Sequence, residues 1–189
     1  MPQLIRLIWR ALVGPRTPLS ATICKSDFIG LMQYIDRHLS SVCLKDLEAF
    51  PILTLTGPRQ SGKSTMLKHL LKGWAYVSLE EPSSFDFASE DPAGFIRANA
   101  NHVIIDEIQR VPRLLSQIQV AVDENRKPGR YAISGSHNLA LIESVSQSLA
   151  GRTSVRHLLP FSLAEIERSA WNPSSLNDAL ISGSYPVVL

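Results

Sequence analysis

The chain has 189 residues, 44% hydrophobic and 19% charged, a globular composition able to bury one ordinary core. Its formal net charge of +2 supplies no global field for nucleic acid or an acidic partner. The charge is uneven, because residues 1–26 hold Arg6, Arg10, Arg16 and Lys25 and no acid.

The opening "MPQLIRLIWRALVG" has the outline of a signal peptide, but Arg6 and Arg10 break the apolar run before an h-region of about 7–15 residues can form. No stretch of about 18 apolar residues occurs, so no transmembrane helix is expected. The basic segment reads as an amphipathic surface helix, ended by Pro15 and Pro18, or, preferably, as a frayed N-terminal extension. Cys24 and Cys43 have no CxxC or Cys/His spacing, which argues against zinc and for free thiols in a reducing cytoplasm.

Phe28, Leu31, Met32, Ile35 and Leu39 then recur at helical spacing. "LKDLEAF" (Leu44–Phe50) predicts a short helix stopped by Pro51, and "ILTLT" (Ile52–Thr56) a buried strand. A helix is expected from Gly62 to about Lys72, and a strand over "WAYVSLE" (Trp74–Glu80). Residues 82–99 read as loop and helix, with Asp91 as N-cap and Pro92 in the first turn. "HVIIDE" (His102–Glu107) is a third strand ending in two acids, and "RLLSQIQVAVDEN" an amphipathic helix. A fourth strand covers Tyr131–Ser134, a helix "LALIESVSQSL", and a fifth strand Thr153–Phe161. Ser162 and Glu165 form a capping box. Alternating strands and helices predict a mostly parallel α/β sheet covered on both faces, with ligand-bearing loops along one edge.

Gly57-Pro58-Arg59-Gln60-Ser61-Gly62-Lys63-Ser64 matches G-x-x-x-x-G-K-[ST] at every fixed position, between a predicted strand and a predicted helix. Glycines let backbone approach phosphate, and the helix N-terminus presents N–H groups to it. Gly57 through Ser64, with Thr65, therefore form the candidate phosphate-binding set. Lys63 can reach the β- and γ-phosphates, and the Ser64 hydroxyl can ligate Mg²⁺. Arg59 is open between three roles: touching the terminal phosphate, facing a neighbouring subunit, or simple solvation.

Asp106 leaves the third strand at its C-terminal end, where it can hold Mg²⁺ through water beside Ser64. Glu107 is the candidate to orient or deprotonate an attacking water. Ser134 and Ser136 fall at the same sheet edge, and Ser134 is the better candidate to sense the γ-phosphate. His137 and Asn138 are weaker candidates. Arg152, in "SLAGRTSV", is open between transition-state stabilisation, in cis or across a subunit interface, and a structural role.

With "PILTLTGPRQSGKSTML", "VSLEEP", "DPAGFI", "VIIDEIQRVPRLLSQIQVAVDE", "SGSHNL", "SQSLAGR" and "LLPFSLAEI" in order, the chain resembles a family of prokaryotic ATP-binding proteins of the AAA-type superclass. Its members pair an N-terminal ATPase domain with a C-terminal domain of unknown function. The resemblance, from about Tyr34 to Leu189, implies an AAA-like sheet in the order 5-1-4-3-2 and ATP with Mg²⁺ as ligands. It also implies nucleotide-loop roles for Gly57 to Thr65, acidic-strand roles for Asp106 and Glu107, and the sensor position for Ser134. Arg152 looks like a family feature without an assigned role.

Three departures shape the expected domains. Residues 1–31 look like an extension, with Met32 a natural start; "SGSHN" stands for a more usual "TGSS"; and "ISGSYPVVL" resembles a "GGYP" segment leading into the C-terminal domain. The expected layout is an extension over 1–31, an ATPase domain over 32–170 and the start of a linker over 171–189. The function expected is Mg-dependent ATP binding with slow hydrolysis. The alternatives are a nucleotide-binding remnant with little turnover, a small-molecule kinase and a nucleic-acid module, the last resting only on the basic N-terminus. A homo-oligomer and an unidentified protein partner are open.

Overall fold

A computed structural model describes residues 34–136, 143, 145, 147–168 and 185–186. The expected N-terminal extension, His137 and Asn138 lie outside the described residues. The described core belongs to a compact unit that begins at Ile35.

In chain order the elements are α1 (Leu39–Ala49), β1 (Ile52–Gly57), α2 (Lys63–Leu70), β2 (Ala75–Ser78), α3 (Pro82–Glu90) and α4 (Pro92–Ala98). They continue with β3 (Val103–Asp106), a 3₁₀ turn (Ile108–Arg110), α5 (Arg113–Glu124), β4 (Tyr131–Ser136), β5 (Thr153–His157) and α6 (Leu163–Glu167). The five strands are all parallel and ordered β2-β3-β4-β1-β5, the expected 5-1-4-3-2 read from the other side.

Strand alternation explains the two helical layers, because successive side chains point to opposite faces of a sheet. Ile52, Val103, Ile105, Tyr131 and Ile133 pack on one face with Phe95 and Ile96 of α4 and Leu114, Leu115, Ile118 and Val122 of α5. Leu53, Leu55, Ile104 and Ala132 pack on the other with Cys43 and Leu47 of α1 and Met66 and Leu67 of α2. The polar members of β1 are paired rather than exposed: Thr54 and Thr153 hydroxyls lie 2.8 Å apart, and Thr56 donates to the Arg156 carbonyl at 3.2 Å. No helix among the described residues is long and apolar enough to cross a membrane.

Several boundaries differ from expectation. "LKDLEAF" is the second half of a longer helix that starts at Leu39, since the Ser40–Ser41 pair is helix-neutral rather than breaking. Ahead of it, residues 34–37 are not helical despite their spacing. The reason is tertiary: the His38 N–H and the Arg37 side chain are both committed to Glu165, which keeps the segment out of the helix. Residues 82–99 hold two helices, divided at Asp91, whose carboxylate accepts from the Gly94 N–H at 2.8 Å. The capping box forms as expected, with Ser162 and Glu165 each accepting from the other's N–H.

Candidate functional site

Strand β1 ends at Gly57 with φ of 154°, and a Cβ there would stand 2.2 Å from the Leu158 carbonyl oxygen. Only glycine lets the chain leave the sheet across that oxygen. The loop then turns through two left-handed residues, Gln60 (φ 63°) and Gly62 (φ 89°). Gly62 is the N-cap of α2. Alternating hand in successive residues turns backbone N–H groups toward one concavity, an arrangement suited to anions.

Lys63 opens α2 and is buried. Its ammonium donates to the Gly57 carbonyl at 3.1 Å and the Pro58 carbonyl at 2.9 Å. Burial pulls its pKa below the ordinary lysine value, while the charges of Glu107 and Asp106 oppose that pull. The Ser61 hydroxyl, inside the loop, is buried with no hydrogen-bond partner among the described residues. These are properties of a cradle shaped for a group with many acceptor oxygens.

Asp106 is 5% exposed and accepts four hydrogen bonds. Oδ2 receives the Ser64 hydroxyl at 2.6 Å and the Tyr76 hydroxyl at 2.7 Å. Oδ1 receives the Ser134 hydroxyl and, at 3.2 Å, the Glu107 N–H. Burial alone would raise its pKa; the bonds from Ser134, Ser64 and Tyr76 outweigh burial and hold the carboxyl ionised, below its usual range. The phenol of Tyr76 is pushed up to about 12, first by burial and then by its bond to Asp106, so it remains a donor at neutral pH.

Glu107 follows in a left-handed conformation, φ 58° and ψ 44°. For a residue with a side chain this stores about 1–3 kcal/mol of strain, a feature that clusters at functional sites. Its carboxylate is held by the Gln109 side-chain amide, which also donates to the Ser136 hydroxyl at 3.2 Å. Arg59, Lys63, Ser64, Thr65, Glu80 and Glu107 line one cavity of about 360 Å³, with Pro186 at its wall.

The structure therefore brings the loop residues, Asp106, Glu107 and Ser134 together at one sheet edge. Arg59 is exposed at the cavity. Arg152 is not brought to that edge: its carbonyl accepts from the N–H of Ile52, the first residue of β1, so it stands where the strands begin rather than where they end. Its guanidinium makes two bonds to Asp123, at 2.6 and 2.8 Å, joining the start of β5 to the last turn of α5.

Four residues at or beneath the site are not signalled by the motif. Tyr76, Gln109 and Glu80 are placed by strand order and turn geometry. Arg37, 6% exposed, lies under the loop, donating to the Ser61 carbonyl at 2.9 Å, the Leu159 carbonyl at 2.6 Å and Glu165 at 3.2 Å. Its guanidinium also lies 4.4 Å from the centre of the Phe161 ring. Nothing in the motif signals this load on the phosphate loop.

A parallel sheet in this order, with a Gly-Lys-Ser loop after the interior strand β1 and an acid closing β3, defines a P-loop ATPase domain of the AAA type. The model of the AAA domain family AAA_14 matches residues 49–167, and the chain belongs to that family. The uncharacterized protein Rv2008c of Mycobacterium tuberculosis and Mb2031c of Mycobacterium bovis are each 32% identical to it over 135 residues, 71% of this chain and 31% of theirs. The chain thus spans about a third of the length of these curated relatives. The Walker-type ATPase PABY2304 of Pyrococcus abyssi superposes with a TM-score of 0.50 at 18% identity, covering 76% of this chain and 58% of that one, a likeness of fold.

Proposed function

We propose that this domain binds Mg·ATP at the loop from Gly57 to Thr65 and hydrolyses it slowly. The observation that carries the reading is the bond between Ser64 and Asp106. It sets a hydroxyl and an ionised carboxylate 2.6 Å apart beside a cavity that Lys63 and Glu107 also line. Both are hard oxygen donors, the kind that Mg²⁺ prefers, and Mg²⁺ keeps several waters besides its protein contacts. The ion, when bound, neutralises charge on the β- and γ-phosphates.

The chain's own groups supply the rest. Loop N–H groups, the orphaned Ser61 hydroxyl and Lys63 bind the phosphates. Lys63 exchanges its bonds to the Gly57 and Pro58 carbonyls for phosphate oxygens, and its charge is favoured there because burial destabilises it otherwise. Glu107 accepts a proton from water at its carboxylate, and Ser134 holds Asp106 in place from β4.

Calorimetric titration with ATP, with and without Mg²⁺, tests binding, and a phosphate-release assay tests turnover. Glu107→Gln is expected to keep ATP affinity and to lower phosphate release by about 10²–10⁴-fold. Unchanged release in that variant removes Glu107 from the chemistry. Tight binding without release in the wild-type chain supports the nucleotide-binding reading instead.

A further inference from the structure

We propose that Gln109 is a positioning residue for Glu107, fixing the carboxylate at the cavity and tying it to the end of β4; this rests on the hydrolytic reading above. Only N–H donates to a carboxylate, so the carboxamide must present Nε2. One N–H meets Glu107 Oε2 and the other the Ser136 hydroxyl at 3.2 Å, which uses both donors of the group. The anchor is independent of the loop that carries the glutamate, since Ser136 is the last residue of β4 and Glu107 follows β3.

Two further observations point the same way. Glu107 is left-handed, so the chain turns abruptly out of β3 and nothing in the strand itself fixes the side chain. The Oε1 of Gln109 is buried with no partner among the described residues. Among the described residues the carboxamide is thus engaged through its N–H groups alone. Glu107 itself lines the cavity, so Gln109 holds it from behind.

The substitution Gln109→Leu removes both donors and keeps a side chain of similar bulk. It is expected to leave ATP affinity unchanged and to lower the turnover number by about 10–100-fold, the scale of a misplaced reacting group. In a Glu107→Gln background, single-turnover hydrolysis of radiolabelled ATP is expected to show no further loss on adding Gln109→Leu. The contact has a readout apart from turnover. The side-chain amide signals of Gln109, assigned by their absence from Gln109→Leu, are expected to move in Glu107→Ala and in Ser136→Ala.

Amide signals indifferent to Glu107→Ala overturn the pairing. Signals that move, with rate losses that add in the double variant or with faster turnover in Gln109→Leu, overturn the positioning role alone. A wild-type chain with no turnover overturns the hydrolytic reading and this role with it.

Discussion

Tyr76 on β2 and Asp106 on β3 are joined across neighbouring strands by a 2.7 Å hydrogen bond, on the same carboxylate oxygen that accepts Ser64. Tyr76 pairs in register with Ile104, two residues before Asp106, so its long side chain reaches forward along the sheet. The Lys68 ammonium lies 3.5 Å from the centre of its ring, which pins the phenol from the other side. Tyr76→Phe removes one bond to a charged group, an effect of about 1.5–3 kcal/mol. The expected outcome is a several-fold rise in the Mg²⁺ concentration for half-maximal hydrolysis, with a lower Tm. An unchanged Mg²⁺ dependence sinks the idea that Tyr76 orients Asp106.

Lys63→Ala is expected to abolish ATP binding while leaving the far-ultraviolet circular dichroism spectrum intact. The lysine's present partners are loop carbonyls, not core groups, so its loss spares the sheet. Wild-type affinity in this variant, measured by calorimetry, contradicts a phosphate loop at 57–65.

Gly57→Ala places a methyl 2.2 Å from the backbone oxygen of Leu158, which cannot swing aside as a side chain could. Destabilisation of about 1–3 kcal/mol from overpacking is expected. Gly73→Ala is the control: its φ is 90°, but no atom of the described residues lies within 4 Å of the added carbon. Chemical denaturation of both separates the collision at Gly57 from the general penalty for a left-handed residue.

Arg37→Met leaves Glu165 without its cation in a buried setting; breaking such a pair costs about 3–5 kcal/mol. The double substitution with Glu165→Gln is expected to recover part of that loss. A melting temperature unaffected by Arg37→Met shows that the guanidinium is dispensable.

Acid sensitivity follows from three carboxyls held below their ordinary values. At Glu165 burial opposes the shift, and the N–H groups of Ser162 and His38, with Arg37, overcome it. At Asp46 the Arg156 guanidinium lowers the pKa, and at Asp106 the hydroxyl bonds do so against burial. A depressed folded-state pKa contributes stability that is present above the unfolded value and lost as pH falls through the folded one. Tm is therefore expected to drop as pH falls from about 5 to below 3, in the range where carboxyls titrate. Glu165→Gln is expected to flatten that drop. A Tm constant across this interval argues against all three.

The phosphate loop and the acidic strand were legible because their chemistry needs fixed residue types at fixed spacing: glycine where a Cβ collides, and an acid where a strand ends. The two helical layers were legible from the alternation of strands with helices along the chain. What was hidden depends on partners far away in sequence. Tyr76 reads as a strand aromatic until β2 is placed beside β3. Arg37 sits in an apparently helical run, and only its bonds to residues 61, 159 and 165 show why residues 34–37 are not helical. Arg152 looked like a site arginine because its Gly turn is distinctive, but strand direction puts it at the far edge, with Asp123.

The bonds of Arg37 bear on how much chain is needed to make the loop. A fragment ending at His157 would contain every residue of the Gly-Lys-Ser motif and all five strands, yet lack the Leu159 carbonyl and the Glu165 carboxylate that hold Arg37 beneath Ser61. Gly57 would also lose the Leu158 oxygen that shapes its exit from β1. Nucleotide affinity should thus emerge late in synthesis, once α6 has left the ribosome, although the signature that names the site was translated some hundred residues earlier.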